Sequence, residues 1–382
     1  MTWPKVKLGD VCDIFSGYAF KSELFNDVGE GLPLIRIGDV GRNSTKIFYS
    51  GAYQERYLMN DGDILVSLSG DFYACRWSAG KALLNQRVCR LEANDQFESG
   101  FLLYLLPDLL TELEAKTAAF TIKNLSVKSL AEVEIPLPPI AEQKRLASIL
   151  DAADALRQQR RETLRVLDEL AQSLFLELFS DPVDNTKNWQ MCDIDSLCNL
   201  VRGSSPRPKA DPRYYGGSVP RLMVADLTRD GFLVTPRIDS LTEEGAKLSR
   251  PVDAGTIVMA VSGNVGLVSQ LAINACIHDG FVGFTKLNVE VVNPIFFMLT
   301  LHHLKSTHDN RKAGAIFQNT TTTDIKAMKI PLPPLALQQQ FAAQIEELEA
   351  IKRRARESST RLDALFACLQ ARAFAGELSD AD

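Results

Sequence analysis

Two long stretches of the chain carry a helical hydrophobic pattern, whereas the remainder carries short apolar runs. Leucine, isoleucine and alanine recur at three- and four-residue intervals through 141–179 and 336–374, which is typical of amphipathic helices. Short β-branched runs at 64–68, 256–261 and 281–289 are separated by Gly, Asp and Asn turns, a pattern that indicates strands. The pattern therefore predicts an α/β (α+β) protein in which long helices follow β-rich blocks.

Both long helical stretches follow the same pentapeptide, IPLPP, because part of the chain is duplicated. The pentapeptide occurs at 135–139 and again at 330–334, 195 residues later. The segments 135–179 and 330–374 align without a gap, and 16 of their 45 residues are identical. Chance at ordinary composition gives roughly one identity in seventeen. The duplication is therefore genuine, and internal repeats of this kind decide the architecture.

A fainter repeat precedes each pentapeptide, at an offset near 186. It pairs single residues and two longer motifs: Trp3 with Trp189, Cys12 with Cys198, Gly17 with Gly203, 33–42 with 220–229, and 62–70 with 255–263. The order of features is thus the same in both halves. We predict four segments in chain order, two β-rich domains each followed by a helical segment, at 1–134, 135–181, 182–329 and 330–382.

The two long helices are predicted to pack together as a coiled coil, because a heptad frame gathers apolar residues on one seam of each. The first seam holds Leu146, Ile149, Ala153, Leu156, Leu167, Leu170 and Leu174, and the second holds Phe341, Leu348, Ile351, Leu362, Leu365 and Leu369. Both seams weaken at the middle, near 160 and 355, which matches either a parallel or an antiparallel pair. We favour the antiparallel pair, with two independent core helices as the alternative.

Composition excludes several classes of protein. Apolar residues make up 46% and charged residues 24%, as in ordinary folded domains. The apolar runs are too short to span a bilayer, and the first residues lack a charged-then-apolar leader, so we expect a cytoplasmic protein. The seven cysteines form no CxxC pair and the four histidines no HExxH motif, so we expect buried free thiols and no metal site.

The overall charge is acidic, with 42 Lys and Arg against 48 Asp and Glu, a net charge of −6. A protein that binds nucleic acid by itself is more often basic. Any contact with DNA must therefore depend on local basic patches or on a partner subunit.

The sequence resembles the specificity subunit of a type I restriction–modification system. The resemblance covers nearly the whole chain and depends on a domain that opens at Trp3, a Ser-Gly pair after an apolar strand, and IPLPPIAEQKRLASIL leading into a long helix, all repeated. One position departs from the pattern: Leu337 stands where the first copy has Glu142. A polar contact expected from that glutamate is therefore in doubt at the second copy.

The resemblance implies a function and a set of partners. Each β-rich domain would be a target recognition domain that reads one half of a bipartite, asymmetric sequence in double-stranded DNA. The two helices would set the spacer between the halves and dock adenine methyltransferase (modification) subunits. The chain would carry no catalytic residue, no metal and no cofactor of its own. S-adenosylmethionine would bind in the methyltransferase partner, and ATP in the restriction/translocase partner.

Residues suited to DNA contact occur in several short segments, because base edges require bidentate polar groups and phosphates require cations. The strongest is the broken basic loop 202–217, with Arg202, Arg207, Lys209, Arg213, Tyr214 and Tyr215. The others supply Lys21; the arginines Arg36 and Arg42, matched to Arg221 and Arg229; the turns Ser69, Gly70, Ser262, Gly263 and Asn264; and the polar tails Lys123, Asn124, Gln318, Asn319, Thr320 and Thr321. Solvated loops, capped helix ends and tight turns are the alternative interpretations.

Two other functions stay open at the level of sequence. A protein scaffold that does not bind DNA is consistent with the acidic charge. An enzyme is the second alternative, but the chain shows no nucleophile with a matching base and no phosphate-binding loop.

Overall fold

A computed structural model of the chain describes residues 3–117, 124–310 and 322–378. The chain divides into two compact units, of which the first comprises Met1–Arg161 and Ser358–Asp382 and the second Glu162–Glu357. Each unit therefore combines one β-rich block with part of both long helices.

Within the described residues, the first unit contains three sheets, four short or medium α-helices besides the long ones, and two 3-10 helices at Ser22–Leu24 and Glu55–Tyr57. Its helices are α1 (Leu8–Val11), α2 (Ile37–Val40), α3 (Ser99–Thr117) and α4 (Val127–Ala131). Its strands are β1 (Lys5–Lys7), β2 (Cys12–Ser16), β3 (Phe25–Asn26), β4 (Leu32–Ile35), β5 (Phe48–Tyr49), β6 (Leu58–Met59), β7 (Ile64–Ser67), β8 (Ala74–Arg76), β9 (Ala82–Leu84), β10 (Val88–Ala93) and β11 (Glu134–Pro136). The strand orders are β1-β11, β2-β10-β7-β8 and β3-β5-β4-β9-β6. The first long helix, α5, follows at Ile140–Phe179.

The second unit repeats this plan. Its helices are α6 (Ile194–Leu197), α7 (Val224–Asp230), α8 (Glu243–Leu248), α9 (Pro294–Asn310) and α10 (Thr322–Ala327), and the second long helix, α11, spans Leu335–Ala375. Its strands are β12 (Gln190–Asp193), β13 (Asn199–Arg202), β14 (Tyr215–Leu222), β15 (Leu233–Val234), β16 (Asp239–Leu241), β17 (Arg250–Val252), β18 (Ile257–Ala260), β19 (Val268–Leu271), β20 (Ala275–Ile277), β21 (Phe281–Thr285) and β22 (Lys329–Leu332). The strand orders are β12-β22, β13-β21-β18-β19-β15 and β16-β14-β20-β17.

The sheets confirm that the two halves share one fold. In each unit an antiparallel pair joins the start of the block to the pentapeptide, with Val6 opposite Ile135 in the first and Cys192 opposite Ile330 in the second. Each unit also contains a parallel pair, β4 with β9 in the first and β14 with β20 in the second. A faint sequence repeat therefore corresponds to a shared topology, to which each unit adds one strand, β3 in the first and β15 in the second.

The long helices run antiparallel in each unit, as predicted. In the first unit Arg157 Nε donates to Asp363 Oδ1 at 2.7 Å, and Arg145 reaches the backbone carbonyl of Leu378 at 2.8 Å. In the second unit the Lys352 ammonium lies 2.7 Å from Asp168, and the rings of Phe179 and Phe341 meet edge to face at 5.1 Å. Within each unit, residues early in one helix thus meet residues late in the other.

The predicted seam is wrong at four positions. Leu156, Leu170, Ile351 and Leu365 are 52%, 44%, 44% and 49% exposed, whereas Leu146, Phe341 and Leu348 are buried as expected. An α-helix turns every 3.6 residues, so a strict heptad drifts by about 20° per repeat. Buried positions that the heptad frame omitted replace the exposed ones: Leu150, Phe175, Phe179, Ala342, Ile345, Lys352 and Ala355.

A buried glutamine joins each long helix to its β-rich block by the same three hydrogen bonds. Gln143 accepts from the Glu98 N–H at 2.8 Å and donates to the carbonyls of Gln96 and Pro138 at 3.1 and 2.8 Å. Gln338, which is also fully buried, accepts from Asn293 at 2.8 Å and donates to Val291 and Pro333 at 3.3 and 2.7 Å. Every partner is 195 residues from its counterpart, so the junction is duplicated atom for atom.

Because Leu337 replaces Glu142 in the second copy, an ion pair of the first copy has no counterpart there. Glu142 forms a bidentate ion pair with Arg145, at 2.8 and 2.7 Å, and the hydrogen bond from Arg145 lowers the pKa of this carboxyl. Leu337 and Gln340 stand at the equivalent positions of the second copy. There Leu337 packs against the apolar core of the second unit instead.

Most cysteines behave as small core residues, as predicted. Cys12, Cys89, Cys198 and Cys276 are buried, and desolvation raises the pKa of Cys12 to about 12. Buried thiols of this kind are inert. Cys368 is exposed on α11 and departs from the prediction.

Candidate nucleic-acid interface

In the second unit the basic loop is fixed by a close approach at Gly203, between β13 and β14. A Cβ atom at Gly203 would lie 2.0 Å from the His278 carbonyl oxygen, so a glycine is required there. The amides of Gly203 and Ser204 donate to the carbonyls of Phe281 and Ile277, at 3.0 and 3.1 Å. These bonds place the loop against the turn between β20 and β21.

The loop, strand β14 and that turn enclose an open cleft of about 540 Å³, which we call the His278 cleft. Its lining includes Lys209, Tyr215, Arg221, Ser262, His278 and Asp279. Four of these belong to segments that the sequence singled out: Lys209 and Tyr215 to the basic loop, Arg221 to the recurring frame and Ser262 to the Ser-Gly turn. The fold therefore brings the basic loop and the Ser-Gly turn to one place.

Arg221 forms the wall of the His278 cleft and is nine-tenths buried. Its guanidinium donates to the carboxylate of Asp239 and, at 3.1 Å, to the hydroxyl of Ser205, and it lies 5.4 Å from the ring centroid of Tyr215. Its Nε–H is buried without a hydrogen-bond partner. A buried donor without an acceptor destabilises the folded state by about 1–3 kcal/mol, so such groups are uncommon in folded proteins.

The turn 278–280 adds polar groups to the same cleft. The Gly280 amide donates to His278 Nδ1 at 2.9 Å, and Ser205 Oγ donates to Asp279 Oδ1 at 2.5 Å. Burial first, and the nearby Arg221 cation second, lower the pKa of His278. The Ser205 hydrogen bond is the main cause that lowers the pKa of Asp279. The turn thus presents a neutral imidazole beside a carboxylate.

The other basic residues of the loop lie on its surface. Arg207 is exposed and lies 3.7 Å from Asp279. Arg213 is also exposed, pairs with Asp211 at 2.7 Å and lies over the Tyr214 ring. Arg202 is exposed at the end of β13.

The arginines of the recurring frame have local partners. Arg229 forms two hydrogen bonds to Asp230, at 2.6 and 2.7 Å, and a third contact at 3.0 Å to the buried Asp226. Arg36 lies 4.0 Å from Asp39 and is half exposed, and Arg42 is exposed. Arg36 and Arg229 therefore pair with carboxylates of the helices that they flank, α2 and α7.

The predicted pairing of Arg36 with Arg221 is wrong. The backbone N–H of Arg36 donates to the Asp39 carboxylate at 2.9 Å, and the backbone N–H of Met223 donates to the Asp226 carboxylate at 3.0 Å. Arg36 therefore corresponds to Met223. The recurring aspartate caps a helix start in both units. Leu34 of β4 is then the counterpart of Arg221 of β14, because each pairs with the equivalent parallel strand.

In the first unit the corresponding segments also meet. A Cβ at Gly17 would lie 2.2 Å from the Asn85 carbonyl oxygen, and the Gln86 amide donates to the Tyr18 carbonyl at 2.9 Å. Arg87 donates to Asn124 Oδ1 at 3.1 Å, and Asn124 bridges to Ser69. Lys21 lies further along the same loop and is exposed.

The two Ser-Gly turns need glycine for their backbone conformation. Gly70 and Gly263 have φ values of 76° and 72°, which lie in the left-handed region that favours glycine. Ser262, Gly263 and Asn264 are exposed at the mouth of their turn. The tight-turn interpretation therefore explains the glycines, while the neighbouring polar groups stay accessible.

Several predicted residues lie outside the described residues: Lys123, Gln318, Asn319, Thr320 and Thr321. Sequence reasoning also missed the turn that follows β9 or β20. The missed residues are Asn85, Gln86 and Arg87 in the first unit and His278, Asp279 and Gly280 in the second. A signal existed, because NQR and HDG stand at equal distances after the two Ser-Gly pairs.

Within the described residues, no group of three His, Cys, Asp or Glu side chains could hold a metal ion. In the same part of the chain no helix is both long and apolar enough to cross a membrane.

Comparison with known proteins gives consistent matches. The family model for the type I restriction modification DNA specificity domain matches residues 1–166 and 186–358. The chain is 27% identical to the type I restriction enzyme EcoBI specificity subunit of Escherichia coli, over 99% of this chain and 86% of that protein. It is 28% identical to the putative type I restriction enzyme MjaX specificity subunit of Methanocaldococcus jannaschii, over 93% and 89%.

A solved structure shares the fold. It is the S subunit of a type I restriction–modification system from M. genitalium, with a TM-score of 0.59, 17% identity, and coverage of 98% of this chain and 96% of that one. The two family-model matches, 1–166 and 186–358, correspond to the two copies of the duplicated sequence. The chain therefore belongs to the family of type I restriction–modification DNA specificity subunits.

Proposed function

We propose that this chain is the non-catalytic subunit that directs a type I restriction–modification complex to a bipartite, asymmetric DNA sequence. Each unit would read one half of the target, so that the predicted recognition domains 1–134 and 182–329 act as separate readers. One observation carries the asymmetry. At equivalent positions of one fold the first unit has Leu34 and Asn85, whereas the second has Arg221 and His278.

The long helices would supply the remaining functions. Both contribute residues to each unit, and we propose that their length sets the spacer between the half-sites. Each unit exposes apolar side chains on these helices: Leu156 and Leu365 in the first unit, and Leu170 and Ile351 in the second. Adenine methyltransferase subunits would dock on these exposed apolar side chains and cover them.

The chemistry would lie in partner subunits. S-adenosylmethionine would bind in the methyltransferase subunit, and ATP in the restriction/translocase subunit where one is present. The acidic charge of the chain, −6, supports this division, because much of the attraction to phosphates then comes from partner surfaces. The complex would act in the cytoplasm, where chromosomal DNA is accessible.

Modified-base sequencing of the host genome, with and without this gene, tests the proposal. We expect N6-methyladenine to disappear from one interrupted, asymmetric motif when the gene is deleted, and to return when it is restored. A genome with an intact, expressed methyltransferase gene whose methylation does not change would contradict the proposal.

A further inference from the structure

Two hydrogen-bond donors at the His278 cleft have no acceptor. Because Nδ1 of His278 accepts the Gly280 amide hydrogen, the neutral ring carries its proton on Nε2. Among the described residues no acceptor contacts that Nε2–H. The Nε–H of Arg221 is the second unpartnered donor, in a side chain that is nine-tenths buried.

The charges at the cleft favour a neutral ligand. Lys209 and Arg221 are balanced by Asp239 and Asp279, and Arg221 is already paired with Asp239. A site for a phosphate would instead require an excess of cations. The unused donors therefore match a neutral group that carries acceptors, and guanine is the base that presents two acceptors, N7 and O6, at its major-groove edge.

We propose that the His278 cleft reads a guanine of the second half-site, with the His278 Nε2–H and the unpartnered Arg221 Nε–H as the two donors that face its acceptors. The inference rests on the proposed function and extends it to one cleft and one base. The bonds of Arg221 to Asp239 and Ser205 hold its guanidinium in place beside the imidazole.

The first unit shows that this turn accepts other side chains. Asn85 occupies the equivalent position, and its Oδ1 accepts the amide hydrogen of the next residue, Gln86, at 2.7 Å, whereas His278 Nδ1 accepts that of Gly280, two residues further on. An asparagine or an aspartate at 278 can therefore still accept a backbone amide hydrogen within the turn. The residue at this position can then vary to set base preference without loss of the fold.

The test compares His278→Asn with His278→Asp in the complex assembled with its methyltransferase subunits. The readout is the ratio of bound sequences in a competition between duplexes randomised through the second half-site. We expect the asparagine variant, which keeps an N–H donor, to retain guanine at the affected position. The aspartate variant places a carboxylate oxygen against the guanine acceptors, so we expect its preference for guanine there to fall at least tenfold.

Asn85→Asp is the matched control, since it makes the same charge change in the first unit. It should leave the base preference of the second half-site unchanged. Unaltered preference at every position of the second half-site in both His278 variants would overturn the inference, as would a base other than guanine at the affected position. A wild-type complex that binds all duplexes equally would instead refute the proposed function itself.

Discussion

At single positions, the duplicated chain keeps the side chains that hold the fold and varies those that line the cleft. Gln143 and Gln338 make identical sets of three hydrogen bonds while fully buried. By contrast, Arg221 replaces Leu34, and His278 replaces Asn85. A buried amide must have its hydrogen bonds satisfied, so the glutamines are fixed by the fold, whereas cleft residues are limited only by the backbone of their turn.

Replacement of Gln338 by leucine should loosen the junction between α11 and its block. The change leaves the Asn293 amide and two carbonyl oxygens without partners, at a cost of about 2 kcal/mol for the amide. We expect hydrogen exchange at the Asn293 amide to accelerate roughly 30-fold, the factor that corresponds to this energy. Gln340→Leu, at an exposed position of the same helix, is the control, and equal acceleration in both variants would contradict the prediction.

His303 should make the stability of the second unit depend on pH. Its ring stacks on Phe175 at 4.1 Å, and burial lowers its pKa from 6.5 to about 4. Because the unfolded chain takes up the proton first, the stabilisation is complete above pH 6.5 and declines as the pH falls towards 4. Between pH 7 and 5 we expect a loss of about 2 kcal/mol.

Urea unfolding at the two pH values measures this loss. His303→Phe keeps an aromatic ring on Phe175 but cannot titrate, so its loss of stability between pH 7 and 5 should be smaller by about 2 kcal/mol. A variant with the same pH dependence as the wild type would show that another group is responsible.

At the scale of elements, the long helices were predictable because their pattern extends over many turns. Ile140–Phe179 matches the predicted 141–179 almost to the residue. The register of the seam was not predictable from a heptad frame, because each helix also packs on a β-rich block. Phe175, for example, contacts Phe296 of α9 as well as Phe341 of α11.

The site was predictable only in part, because strand pairing creates it. Composition identified Arg207, Lys209 and Tyr215, since a basic, proline-broken loop stands out in a sequence. His278 is some seventy residues away along the chain, and only the bonds from Gly203 and Ser204 bring its turn to the loop. A lone histidine between two apolar strands gives no sign of such a neighbour.

Lengthening both long helices together should lengthen the DNA spacer. Seven residues inserted after Arg161 and after Glu357 add about 10.5 Å of helix, which corresponds to about three base pairs at 3.4 Å each. Because seven residues make nearly two full turns, the buried faces keep their phase. Methylome sequencing should report the same half-sites with a longer gap.

The control is an insertion in α5 alone. It shifts one end of α5 relative to its partners on α11, so it should prevent assembly of the complex. Altered bases in either half-site of the double-insertion protein would contradict the assignment of the helices as a spacer.

At the scale of the whole molecule, an acidic protein that binds DNA must concentrate its cations. Its 42 Lys and Arg are outnumbered by 48 Asp and Glu, so phosphates must be contacted by locally placed cations, and we assign Arg207 to this role because it is 63% exposed beside Asp279 of the His278 cleft. Each phosphate contact that is lost reduces the slope of log affinity against log salt by about 0.9. Arg207→Ala should therefore reduce the slope by about one in the assembled complex, with similar losses for all second half-site sequences.

Lys326→Ala separates this effect from a general loss of positive charge. Lys326 is paired with Asp195 at 2.9 Å, and its removal should leave the slope unchanged. If Arg207→Ala instead changed the preferred base while the slope stayed the same, Arg207 would read a base edge rather than hold a phosphate. The same salt titration thus decides which contact this arginine makes, since phosphate binding responds to salt and base recognition responds to sequence.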